Sequence, residues 1–149
     1  MEVIGVETFK IYLAGGVSNL NKDEYTLWRN QITRLLLHKS KGVGIKYSVD
    51  IISPPDYFAF EEKNYETDLE VMKYYLRHTK SSDLIIVNFN DPNSIGTAQE
   101  LAVGYDRNIP ILGLNMENKE LNSWLVCSCD RIFDNYESLV KYVIEFYLI

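Results

Sequence analysis

Short apolar runs, separated by polar segments rich in Gly, Pro, Asn and Ser, divide the chain into alternating strands and helices. Lys10 to Leu13 is the heart of a first strand, with β-prone bulk in Phe9, Tyr12 and Leu13, and it runs straight into Ala14-Gly15-Gly16. Two glycines after a strand let backbone approach a ligand closely. Asn21 or Asp23 can cap the next helix, where Trp28, Ile32, Leu35 and Leu36 recur at helical spacing and define a buried face; it ends before Gly42. Ile45 to Ile52 is the second strand, broken by Ser53-Pro54-Pro55-Asp56, because proline cannot donate to a ladder and restricts its predecessor. The aromatics Tyr57, Phe58 and Phe60 that follow suit a core or an interface.

Tyr65 to Lys80 reads as a helix with Leu69, Met72 and Leu76 on one face and Glu66, Asp68 and Glu70 near its positive end. Leu84 to Phe89 is an unbroken apolar strand that empties through a polar loop into a helix opening near Gly96. Ala98, Leu101, Ala102 and Tyr105 give that helix the mixture of small and large residues that packs closely on a sheet. Ile111 to Leu114 and Arg131 to Phe133 are a fourth and a fifth strand, with Asn115 to Ser123 a loop or short helix between them. Tyr136 to Tyr147 is the last helix, carrying Leu139, Val140, Val143, Ile144 and Phe146.

The central strands are short continuous apolar runs, which is the pattern of a parallel sheet covered on both faces. With right-handed crossovers the expected fold is α/β: a flavodoxin-like, doubly wound, five-stranded parallel sheet in the order 2-1-3-4-5. Its topological switch point lies between strands 1 and 3. The loops leaving those strands contain Ala14-Gly15-Gly16 and the segment Asn88 to Gly96, so a ligand site is expected there.

Composition narrows the partners. At 149 residues, 46% hydrophobic and 24% charged, the chain is one globular domain over residues 1–149. A net charge of -6 disfavours a nucleic-acid polymer, which requires a basic face, but not a free nucleotide, whose phosphate a helix N-terminus can hold. Cys127 and Cys129 lack the further ligands of a zinc site and read as buried or free thiols. There is no membrane span and no leader-like N-terminus, so a cytoplasmic protein without a membrane partner is expected. Neither a P-loop nor a dinucleotide-binding glycine motif occurs.

Glu100 stands out chemically. In the first turns of its helix it would be held ionised by the dipole and free N–H groups, and an ionised carboxylate suits attack on an anomeric carbon. A first-turn glutamate is also simply favourable to a helix, so the position alone does not decide. Tyr12, across the switch point, could position that carboxylate or be a core tyrosine. Asn88, Ser94, Gly96 and Thr97 crowd the loop and helix start, offering groups suited to a phosphate or sugar hydroxyl, or else a helix cap. Asp68 could be catalytic or a plain first-turn acid. Asp83 reads as structural, and His38 and His78, late in their helices with no nucleophile nearby, stand outside the site.

Taken together and in order, Lys10-Ile11-Tyr12-Leu13-Ala14-Gly15-Gly16, Asp68-Leu69-Glu70, Ser82-Asp83-Leu84-Ile85-Ile86-Val87-Asn88 and Ser94-Ile95-Gly96-Thr97-Ala98-Gln99-Glu100-Leu101 resemble the nucleoside 2-deoxyribosyltransferase family. Related 2'-deoxynucleoside 5'-monophosphate N-glycosidases share the pattern, and the resemblance spans most of the chain. It implies that Glu100 is the nucleophile that takes the deoxyribosyl group, that Tyr12 orients it and that Gly15 and Gly16 line the pocket. Ser94 stands where transferases of free nucleosides often carry an acidic residue and monophosphate hydrolases a serine, which tilts the implied substrate toward a nucleotide.

The family aspartate that acts on the leaving base matches Asp68 by its neighbours. Counted back from Asp83 the position is Tyr75, seven residues on and about two helical turns away. Asp68 is the preferred match, because a tyrosine donor is poorly matched in pKa. The resemblance also implies a homodimer or higher homo-oligomer in which a neighbouring subunit completes the pocket, here with Asn122 or Ser123. No metal and no organic cofactor are implied. Two functions follow: N-glycosyl transfer or hydrolysis on deoxynucleosides or their monophosphates, or a catalytically altered nucleotide-binding or sensor protein on the same scaffold.

Overall fold

The computed structural model describes residues 6–56 and 66–149. Tyr57, Phe58 and Phe60, and the expected helix start at Tyr65, lie outside them. Five strands form one parallel sheet in the order β2-β1-β3-β4-β5: β1 (Thr8–Gly15), β2 (Ser48–Ile52), β3 (Leu84–Asn88), β4 (Ile111–Leu114) and β5 (Arg131–Phe133). This is the flavodoxin-like arrangement that the strand pattern predicts.

Side chains alternate between the two faces of the sheet along each central strand, as the two-residue period requires, and both faces are buried. Ile11, Leu13, Leu84, Ile86, Leu112 and Leu114 enter one core with Trp28, Ile32 and Leu36 of α1 (Lys22–Lys39) and Leu139, Val140 and Val143 of α5 (Tyr136–Val143). Tyr12, Ala14, Ile85, Val87 and Ile111 enter the opposite core with Leu101 of α3 (Ile95–Asp106). The remaining helices are α2 (Asp68–Lys80) and the short α4 (Ser123–Ser128), both packed against α3. Among the described residues no helix is long and apolar enough to cross a membrane.

Local chemistry sets the element ends. Asn21 caps α1 and Thr67 caps α2, each in a capping box with a glutamate three residues on, Glu24 and Glu70. That box starts α2 at Asp68. β1 is longer than its apolar run suggests, because it pairs with β2 on one side and with β3, as far as Gly15 and Asn88, on the other. β2 begins only at Ser48: the Lys46 N–H donates to the Leu148 carbonyl, and Ile45 and Tyr47 pack on the core ahead of the strand. The final helix passes into a π-helical turn, Ile144–Leu148, that buries Leu148. Asp83 is structural, accepting the Lys10 N–H at 2.8 Å.

The approach of α3 to the sheet depends on Gly104. A Cβ there would collide with the Ile85 Cδ1 methyl of β3, so the helix backbone rests directly on the Ile85 side chain.

Candidate active site

A cleft of about 310 Å³ opens at the switch point. Gly15, Val17 and Ser18 form its wall at the end of β1, and Asp68, Val71, Met72, Tyr75 and Leu76 of α2 face them. Gly96, Thr97, Gln99 and Glu100 of α3 complete it. The apolar face of α2 therefore does not enter the core as its periodicity suggests. Leu69 and Met72 are 53% and 43% exposed, and Thr79 is the one buried residue among those described in that helix.

Glu100 lies in the second turn of α3, 8% exposed, and faces the cleft from beside Tyr12. Its ionisation differs from the sequence expectation. Burial dominates and raises its pKa from 4.5 to about 7, while Tyr12 and the charge of Arg29 pull weakly the other way. The dipole argument fails because Glu100 sits beyond the first turn, where that effect fades, and its burial outweighs it. Tyr12 is fully buried and its own pKa is raised, first by burial and then by the adjacent Glu100 charge. The two side chains bias one another's ionisation, yet Tyr12 Oη and Glu100 Oε2 are each buried without a completed hydrogen bond. Unsatisfied buried polar atoms are uncommon, and here two adjoin, one on the cleft lining at Glu100 and one behind it at Tyr12.

Asp68, the first residue of α2, lines the same cleft as Glu100. So does Tyr75, half-buried, with its hydroxyl donating to the Pro54 carbonyl at 3.3 Å. Two helical turns separate them along one helix face, which brings both to the same cavity. Gly15, Gly96 and Thr97 also line it. Gly16 packs instead against Asp91, whose Cβ would lie 2.8 Å from a Cβ at that position. Ser94 is the cap of α3: its Oγ accepts from the Thr97 N–H at 3.3 Å and from Thr97 Oγ1 at 2.9 Å. Asn88 is buried at the end of β3 and borders a small separate cavity with Asn90 and Lys119. Asn122 caps α4 by accepting the Trp124 N–H, Ser123 opens that helix, and neither lines the cleft.

Several cleft residues escape a reading of the sequence. Val71 and Leu76 extend the apolar wall of α2, and periodicity reports such a face without saying whether core or cavity covers it. Arg29 was detectable, since it interrupts the series Tyr25, Trp28, Ile32 and Leu36 on the buried side of α1. Among the described residues no cluster of three or more His, Cys, Asp or Glu could hold a metal. Cys127 is an exposed free thiol and Cys129 a half-buried one, whose pKa burial pushes up to about 12.

No family model and no curated protein matches the sequence. Solved structures do. The chain is similar to a 2-deoxyribosyltransferase from Bacillus psychrosaccharolyticus, with a TM-score of 0.67 and 20% identity over 89% of this chain and 91% of that one. It is similar to a 2-desoxiribosyltransferase from Leishmania mexicana, at 0.65 and 18%, over 94% and 99%. A CMP N-glycosidase from Clostridium botulinum matches at 0.56 and 18%, over 92% and 99%. These are the kinds of protein that the sequence motifs resemble, and at such identities the likeness establishes a shared fold.

Proposed function

We propose that this protein breaks the N-glycosidic bond of a 2'-deoxynucleoside 5'-monophosphate, or of the free nucleoside, and passes the deoxyribosyl group through Glu100 to water or a second base. The observation that carries the reading is Glu100 itself: a nearly buried carboxylate with an unpartnered oxygen, in one cleft with a second carboxylate, Asp68. The fold is shared with deoxyribosyltransferases and with a CMP N-glycosidase.

In the first step a Glu100 oxygen attacks C1′ as the C1′–N bond breaks, and the bonding pair leaves with the base, which takes a proton from Asp68. The glycosyl ester then yields when water or an acceptor base attacks C1′ and the pair returns to Glu100. Water gives free sugar and an acceptor base gives a new nucleoside, and in either case the proton the attacking group loses returns to the Asp68 carboxylate. Tyr12, behind Glu100 and away from the cleft lining, orients the carboxylate rather than touching substrate. Ser94 accepts two hydrogen bonds from Thr97 and keeps its own proton to donate, beside the first N–H groups of α3, which suits a phosphate oxygen. Asn122 and Ser123 take part only if a second copy brings them to the cleft.

The test is direct. Incubated with deoxynucleosides and their 5'-monophosphates, with and without an acceptor base, the protein is expected to release or exchange base on a chromatogram, and Glu100→Gln to abolish this. Base release by Glu100→Gln at the parental rate, or none by the parent with any of these substrates, would sink the proposal.

A further inference from the structure

The mechanism above makes no use of Arg29, the bulkiest of the fully buried side chains among the described residues, at 1% exposure. It projects from the sheet-facing side of α1, where Tyr25, Trp28, Ile32 and Leu36 are otherwise apolar or aromatic. Removing a guanidinium from water is unfavourable before compensation, and a leucine would fill a core position without that cost. The charge therefore calls for a reason.

Its contacts point to the end of β1. Nη1 donates to the Tyr25 carbonyl and Nη2 to the Gly15 carbonyl at 3.2 Å, while the guanidinium lies 4.8 Å from the Trp28 ring centre. Gly15 is both the last residue of β1 and part of the cleft wall. A Cβ on Gly15 would stand 2.9 Å from Trp28 Cζ2 and 3.4 Å from Arg29 Nη2. Glycine thus lets the cation lie directly behind the wall, reaching past the strand end from the face of the sheet opposite α3.

Among the described residues, the titratable groups around Glu100 are Tyr12 from β1, Asp68 and Tyr75 from α2, and Arg29 from α1. Arg29 is the cation of the set. We propose that Arg29 is a positioning residue for Glu100: a buried, backbone-anchored cation that stabilises negative charge on the carboxylate and holds the Gly15 wall in place. The direction of its effect agrees, since its charge opposes the rise that burial imposes on Glu100. The catalytic consequence rests on the glycosyl-transfer reading: when the C1′–O bond of the intermediate breaks, the returning negative charge appears within the field of Arg29, so losing that cation slows turnover.

The coupling itself is measurable on the resting protein. With glutamate carboxyls labelled with ¹³C, and the Glu100 signal assigned by its loss in Glu100→Gln, carbon NMR follows the titration in the parent and in Arg29→Met, Arg29→Gln and Arg29→Lys. Arg29→Met and Arg29→Gln are expected to move the Glu100 midpoint up by about half a pH unit, roughly a threefold change in its acidity, and Arg29→Lys by less than about half of that. Arg29→Gln keeps donors for the two carbonyls, so it carries the test should Arg29→Met not fold. A Glu100 midpoint unchanged in the folded neutral variants overturns the proposal. No substrate enters this titration, so inactivity toward nucleosides would remove the proposed function and leave the coupling standing. Where activity is present, the acid limb of kcat/KM is expected to move with the NMR midpoint.

Discussion

The two faces of the sheet put the same alternating strands to different ends. On one, α1 and α5 close over Ile11, Leu13, Leu84 and Ile86, and Ile32, Leu36, Leu139 and Val143 are fully buried. On the other, α3 covers the sheet while α2 stands off and leaves Met72 exposed on a cavity wall. The first face removes apolar surface from water, the dominant favourable term in folding. The second withholds some of that burial, and places an ionisable pair, Glu100 and Tyr12, where neither is fully partnered. Close packing and the candidate site are thus separated across one sheet, with Arg29 reaching from the packed face toward the cleft wall at Gly15.

That separation can be tested at once from both sides. Leu36→Ala on the closed face should lower stability by about 2–5 kcal/mol, the cost of a core cavity, with the midpoint of the pH–activity profile unchanged. Glu100→Gln should do the reverse. A carboxyl whose pKa is raised from 4.5 to about 7 by folding contributes stability that is complete below pH 4.5 and lost as pH rises through about 7. Removing the charge should therefore stabilise the protein by about 3 kcal/mol near pH 8, and by almost nothing below about pH 4, in urea unfolding. Equal stability of the two proteins at alkaline pH would mean that Glu100 is not desolvated.

Gly104→Ala should cost about 1–3 kcal/mol, because the new methyl meets Ile85, and it should lower activity as α3 shifts. Tyr12→Phe should raise the acid limb of kcat/KM by about half a pH unit to one unit, since it removes a group that favours the Glu100 anion, with little change in stability. The smallest effect belongs to Met72→Ala: less than about 1 kcal/mol in stability, but a raised KM with kcat little altered. A core-sized loss there would erase the distinction between the faces.

Much of the fold was legible because it depends on local pattern. The run Ile111 to Leu114 and the triplet Arg131 to Phe133 are strands with the expected limits, and the strand order follows from handed crossovers. Asn21 as the cap of α1 was equally readable. What the pattern misjudged depends on tertiary surroundings. Leu69, Met72 and Leu76 show a helical apolar face, but the sequence does not say that water and an open cleft lie opposite it. The charge state of Glu100 was read from its distance to a helix start, whereas the depth of its burial decides it. Arg29 interrupts an apolar helix face, which the sequence shows, but its anchoring to the Gly15 carbonyl does not follow from that pattern.

Gly104 and Ile85 carry a consequence for how this sequence can change. Glu100 is one turn before Gly104 on α3, so the height of the carboxylate above the sheet is set where a helix without a side chain meets one methyl of a strand. The two positions are a lock with a single key: a larger residue at 104 is tolerable only with a smaller one at 85. Drift in descendants of this chain should then be correlated at those two sites, and a repacked pair such as Ile85→Val with Gly104→Ala should recover more than the sum of its parts.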